Sequence, residues 1–456
     1  MALPPDPLGA GIADFGRRLR AGAVRAEGAV RDYLDRIEAL DPGIGAYEHV
    51  AAEDALARAR ALDAALAAGC DLGPLMGVPV SIKDLFAVEG MPAAAGSHVD
   101  VSDLIGAEGS FVRRLRRLGC VILGKTRTVE FAFGVTGASA PRGTPRNPAD
   151  MERPRLPGGS SSGAGAAMAA GLCGLAVGTD TGGSVRIPAA LCGTFGLKTT
   201  HGLWAADGVF PLASGLDTIG LLTRGAEDAA IAHGAICGLE PAAPPPLWQI
   251  RLARPGAYFA RGLEPEVAAR TEGALERLAA GGCALGEVEL PEPEAREAYF
   301  PLALGAEAVA SLGEARVREG LARMDPLVAR RVEAGLEARA ADLLRLERRR
   351  ADLSARARAL AEGIDAWACA TVAVRAPEAA ALTDPEGAMR LTLGLTRNTQ
   401  PANYLGLAAA TIPLPGEGLP IGLQLIGAPM GERRLLAVCR AVEAALGGSS
   451  VRAAPR

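Results

Sequence analysis

The chain has 456 residues, is 49% hydrophobic and 22% charged, and carries a formal net charge of −4. That length suits one large domain or a few ordinary ones, and the apolar share excludes global disorder. The slightly acidic balance argues against a general nucleic-acid binder.

The opening stretch, MALPPDPLGAGIADFGRRLRAG, has no basic segment followed by an apolar run, so no signal peptide is expected. The longest weakly polar run, residues 163–178, is rich in Gly and Ala and too short to span a bilayer. The eight cysteines include no Cys-x-x-Cys pair and the four histidines are isolated. Reduced thiols in a cytoplasmic protein are expected, and no metal site.

Residues 8–70 read as helices, with Leu34, Ile37 and Leu40 on one stripe and an Ala/Leu/Arg helix over 51–68. GVPVSIKDLF (77–86) alternates Val78, Val80 and Ile82 with Pro79 and Ser81, which predicts a strand ending near Lys83. A helix over 111–118 and a buried strand at 120–123 follow. This strand–helix–strand alternation points to an α/β sheet. Residues 147–157 read as a polar loop, 165–171 as a tightly packed helix, 175–177 as a short buried strand and 185–192 as a helix start. LEPAAPPPL (239–247) reads as a linker. Helices are predicted over 265–278 and 326–361, the latter with a solvated Arg/Glu face. Strands at 408–414 and 419–426 and a helix over 432–446 close the chain.

The stretch that organises these elements runs from Pro157 to Thr199 and contains two Gly/Ser clusters, around Ser160 and Ser184. A serine needs a base to become a useful nucleophile. His201 is one candidate, with Asp207 or Asp217 as an orienting acid. Lys83 is the other, provided that burial lowers its pKa toward neutrality. Read locally, Lys83 pairs as well with Asp84 on a surface. Gly182 and Gly183 leave room for backbone N–H groups to curl around an oxyanion. Asp180 reads as an acceptor that braces this loop. The Gly163/Gly165 pair is a poor dinucleotide fingerprint because the third glycine is missing.

Three motifs in order, GVPVSIKD (77–84), GGSSSG (158–163) and GTDTGGSVRIPAALCG (178–193), resemble the amidase signature family. The resemblance covers residues 70–235 strongly and returns at LPIGLQLI (419–426). It implies a single large α/β/α domain whose central mixed, twisted sheet is covered by helices, with a helical C-terminal insertion. The expected segments are an N-terminal helical part (1–70), the signature core (71–238), a helical substrate-side insertion (239–390) and a return to the core sheet (391–456).

The family pattern further implies a catalytic Ser–cis-Ser–Lys triad: Ser184 as nucleophile, Ser160 as bridging serine after a cis Gly159–Ser160 peptide, and Lys83 as base. The N–H groups of Thr181, Gly182, Gly183 and Ser184 are the implied oxyanion hole. Arg186 either holds a substrate carboxylate or ties the loop to a neighbouring strand. The segment 126–137 resembles a pocket-lining loop, with Phe131, Phe133 and Gly134 against substrate. The resemblance implies an amidase acting on a small carboxamide, with no cofactor or metal, as a homodimer. Two rivals are the glutaminase subunit of a tRNA-dependent amidotransferase and a non-catalytic relative.

Overall fold

The strand signals around Lys83 and Cys120 fall on two neighbouring strands near one edge of the sheet. The computed structural model describes residues 6–448, so the extreme ends of the first and last expected segments, 1–5 and 449–456, lie outside the described residues. Eleven strands form one mixed sheet. They are β1 (Tyr47–Val50), β2 (Pro79–Lys83), β3 (Val121–Thr126), β4 (Leu175–Thr179), β5 (Phe195–Lys198), β6 (Ile219–Thr223), β7 (Arg251–Arg254), β8 (Ala284–Glu287), β9 (Ala366–Ala370), β10 (Ala408–Pro413) and β11 (Gly422–Gly427). The order across the sheet is β1-β3-β2-β4-β6-β5-β10-β11-β9-β7-β8. The molecule is thus a single large α/β domain.

β2 lies between β3 and β4 and is parallel to both. Parallel neighbours need crossover connections, here the helices Ser110–Arg117 and Ser162–Ala169. Every residue of β2, β3 and β4 is buried, as expected for parallel strands covered on both faces. The alternation in 77–86 is therefore not an in–out pattern, because Pro79 and Ser81 are as buried as their neighbours. Pro79 is tolerated because it opens the strand. The parallel pairing brings the carboxyl ends of β2 and β4, at Lys83 and Thr179, to the same sheet edge. That edge is where open α/β sheets place their ligands.

Three expectations are corrected. Residues 8–70 are not all helical: Asp41 accepts the N–H groups of Ala46 and Tyr47 at 2.7 and 3.1 Å, turning the chain into β1 after the helix Ala26–Ile44. The segment 239–390 is not purely helical, because β7, β8 and β9 extend the sheet beyond β11. β9 reads AWACA, and its alanines carry little strand propensity, so nothing local announced it. The predicted helix 326–361 is two helices, Pro326–Gly335 and Ala340–Ala361. The first crosses the helix Arg296–Leu312 so closely that a Cβ on Gly335 would lie 2.1 Å from the Gly305 carbonyl oxygen. Among the described residues no helix is long and apolar enough to cross a membrane.

Candidate active site

Lys83 ends β2 with no exposed surface. Its Nζ donates to Ser160 Oγ at 2.7 Å and to Thr179 Oγ1 at 2.8 Å. No carboxylate forms an ion pair with it among the described residues. Burial therefore dominates and lowers its pKa from 10.5 to about 7, with the charges of Asp217 and Asp180 opposing part of the drop. The local pairing with Asp84 is not formed, because Asp84 Oδ1 accepts from the buried Lys125 Nζ at 3.1 Å.

Ser160 follows Gly159 through a cis peptide bond, as expected. Its carbonyl oxygen accepts from Val129 N–H at 3.1 Å, and the next residue, Ser161, donates its N–H to the Ser184 carbonyl oxygen at 3.2 Å. The two Gly/Ser clusters are thereby joined backbone to backbone. Ser184 is 3% exposed, and its loop borders a cavity of about 300 Å³. His201 is placed otherwise. It is exposed, its ring Nε2 is bonded to the Ser214 carbonyl oxygen at 2.8 Å, and it lines a separate cavity of about 270 Å³.

The 180–186 loop is organised by Asp180. Its carboxylate accepts Gly183 N–H at 2.8 Å, Val185 N–H at 3.1 Å and Arg186 Nη2 at 2.9 Å. Burial alone would raise this carboxyl, but the Arg186 guanidinium outweighs it and holds the carboxyl well below the usual range. Gly183 is required here: its φ is 126°, and a Cβ would meet Thr399 Oγ1 at 2.3 Å.

Two expectations about this loop change. With Gly183 N–H committed to Asp180, the four expected oxyanion donors become three. Among the described residues, the N–H groups of Thr181, Gly182 and Ser184 meet no protein acceptor. Thr181 is itself held by its hydroxyl, which donates to Asp217 Oδ1 at 2.5 Å. Burial raises Asp217 to about 6 despite the N–H groups of Leu212 and Ala213 that it accepts.

Arg186 does not face the cavity. It has no exposed surface, and Asp180, Asn403, Gln424 and the Thr399 carbonyl oxygen accept all five of its guanidinium N–H groups. A substrate carboxylate finds no donor there, so Arg186 is the structural tie and not the substrate ligand. Phe131 is also removed from the expected lining: it stacks on Phe210 in the core at 5.3 Å between ring centroids. Phe133 and Gly134 do line the cavity.

The family model for amidases matches residues 28–436. The chain belongs to the amidase family. A curated member, the 2-amino-5-chloromuconic acid deaminase of Comamonas testosteroni, is 37% identical, with 97% of this chain and 98% of that protein aligned. A glutamyl-tRNA(Gln) amidotransferase subunit from Moorella thermoacetica is 37% identical over 92% of this chain and 93% of its own. Among solved structures, an amidase superposes with a TM-score of 0.87 at 30% identity, covering 96% of this chain and all of that one (100%). The peptide amidase of Stenotrophomonas maltophilia superposes at 0.82 and 26% identity, covering 99% and 100%. This amidase-signature chain is a hydrolase by membership. Ala132, Val135, Thr181, Gly182 and Ser184 also line the cavity, and its remaining residues come from the later part of the chain, within 296–304, 327–334 and 389–400. Sequence reading missed these later residues because no local motif marks them.

Proposed function

We propose that the chain hydrolyses a small carboxamide through an acyl-Ser184 intermediate, releasing ammonia or an amine. The observation that carries this reading is the 2.7 Å bond from Lys83 Nζ to Ser160 Oγ, made by a lysine with a pKa of about 7. Neutral Lys83 accepts the Ser160 proton while Ser160 accepts that of Ser184. The Ser184 oxygen attacks the amide carbonyl carbon, and the N–H groups of Thr181, Gly182 and Ser184 stabilise the oxyanion. Loss of one such donor costs on the order of 3 kcal/mol of transition-state stabilisation. The proton returns to the leaving nitrogen as the C–N bond breaks, and water repeats the route to free the acid. The reaction is placed in the cytoplasm, a setting that suits eight cysteines with free thiols.

The test is covalent. A serine-directed phosphonate is expected to add to Ser184, seen by intact mass and peptide mapping, and the same protein is expected to release ammonia or amine from simple amides. No adduct and no turnover from the folded protein would overturn the reading and leave the non-catalytic relative.

The glutaminase reading is favoured by one specific observation, the 37% identity to the Moorella protein across nearly the whole chain. It predicts turnover of glutamine and dependence on partner chains. Hydrolysis of simple amides by the purified chain, with none of glutamine, excludes it.

A further inference from the structure

The cavity at Ser184 is strongly one-signed. Arg296, Arg330 and Arg331 line it, against a single carboxylate, Glu297. These three guanidinium groups are not equivalent. Arg296 is 2% exposed and largely committed, donating to Tyr258 Oη at 2.9 Å, Gln400 Oε1 at 2.5 Å and, from Nη2, Glu297 Oε1 at 3.5 Å. Arg331 is fixed but not saturated. It donates to the Phe133 carbonyl oxygen at 2.7 Å and Thr392 Oγ1 at 3.3 Å, two of five available N–H positions, and its guanidinium lies 5.8 Å from the Phe133 ring centroid. Arg330, beside it on the helix Pro326–Gly335, is exposed and has no acceptor among the described residues. That helix is itself anchored: Asp325 caps it by accepting Leu327 N–H at 2.9 Å, and Glu130 accepts the Asp325 N–H at 2.6 Å. The same cavity is lined by Ser184 and by the apolar side chains of Phe133, Phe300, Leu304 and Leu393.

On the reading of Ser184 as an amidase nucleophile, we infer that the substrate is an ω-carboxy amide. Its carboxylate is held by Arg330 and Arg331, its hydrocarbon spacer lies on the apolar walls, and its carboxamide meets Ser184. Arg331 supplies the preorganised donor and Arg330 the mobile one. The saturated Arg186 takes no part. Arginine suits this task because its planar fork matches a carboxylate and stays charged throughout the working pH range.

The test separates binding from chemistry. Succinamic, glutaramic and adipamic acids, and the methyl ester of each, are titrated calorimetrically into the full-length Ser184→Ala protein. At least one free acid is expected to bind about tenfold or more tighter than its ester, the size of one charge-assisted contact. Adding Arg330→Ala is expected to reduce that preference severalfold, with Arg331 retaining the remainder, while the circular dichroism spectrum is unchanged. Arg330→Lys is expected to restore part of it. Equal or tighter binding of the esters, no binding of any acid, or an unchanged preference after Arg330→Ala overturns the inference. Wild-type turnover of the esters with no preference for the acids overturns it too and leaves the amidase reading standing. Preferential acid binding without a Ser184 adduct does the reverse.

Discussion

Lys83 and Arg186 are two cations with no exposed surface, near the same loop, and the fold treats them oppositely. Arg186 meets a carboxylate and three further acceptors, so its charge is fully answered. Lys83 meets only the hydroxyls of Ser160 and Thr179. Burial without a paired carboxylate drives its pKa to about 7, so it can sit neutral and take a proton. The lesson is that burial alone does not decide whether a cation keeps its charge; the acceptors around it do.

Replacing each cation with an apolar residue of similar length separates the two roles. Lys83→Met is expected to lower kcat by about 10²–10⁴-fold, the usual range for a general base, without loss of stability in urea. The sign follows from linkage. The unfolded lysine holds its proton up to pH 10.5 and the folded one only up to about 7, so the unfolded chain binds more protons between them. Wild-type stability therefore rises with pH across that window, and a methionine at 83 is expected to remove the slope. Arg186→Met is expected to lower stability, leaving Asp180 buried and unpaired at a cost of about 3–5 kcal/mol in urea denaturation.

Thr179→Val removes one of the two acceptors of Lys83. A neutral hydrogen bond is worth about 1 kcal/mol, so kcat is expected to fall about fivefold with the fold intact. Smaller still is Asp217→Asn. The Asp217 charge raises the Lys83 pKa, so its removal is expected to move the acid limb of kcat/KM to lower pH. A limb that stays in place would mean that Asp217 acts only by holding the Thr181 hydroxyl.

Much of the local geometry of the candidate site was legible in the sequence because it is encoded locally. Strand 79–83 and the glycine loop before Ser184 each depend on a few adjacent residues whose backbone demands leave a recognisable pattern, whereas the cis junction at Ser160 was expected only from the family resemblance. The role of Arg186 was not legible, since its acceptors Thr399, Asn403 and Gln424 lie more than two hundred positions away. The same holds for the cationic wall: Arg330 and Arg331 sit in a stretch whose charge reads as a solvated helix face until the helix Arg296–Leu312 crosses it. Phe131 misled because a phenylalanine in a loop beside a site looks like a wall, whereas Phe210 covers it. The loss of Gly183 as an oxyanion donor follows from a carboxylate three residues earlier, a contact that is near in sequence but visible only once the loop curls.

The claim that a neutral lysine activates Ser184 through Ser160 is tested most directly by the pH dependence of Ser184 phosphonylation, followed by intact mass. The rate is expected to climb with pH, reach half its limit near the Lys83 pKa of about 7, and level off above it. In folded Lys83→Met both the rate and the limb are expected to disappear. A wild-type rate that is flat from about pH 5 to pH 9, or a Lys83→Met rate within about twofold of wild type, would contradict the account.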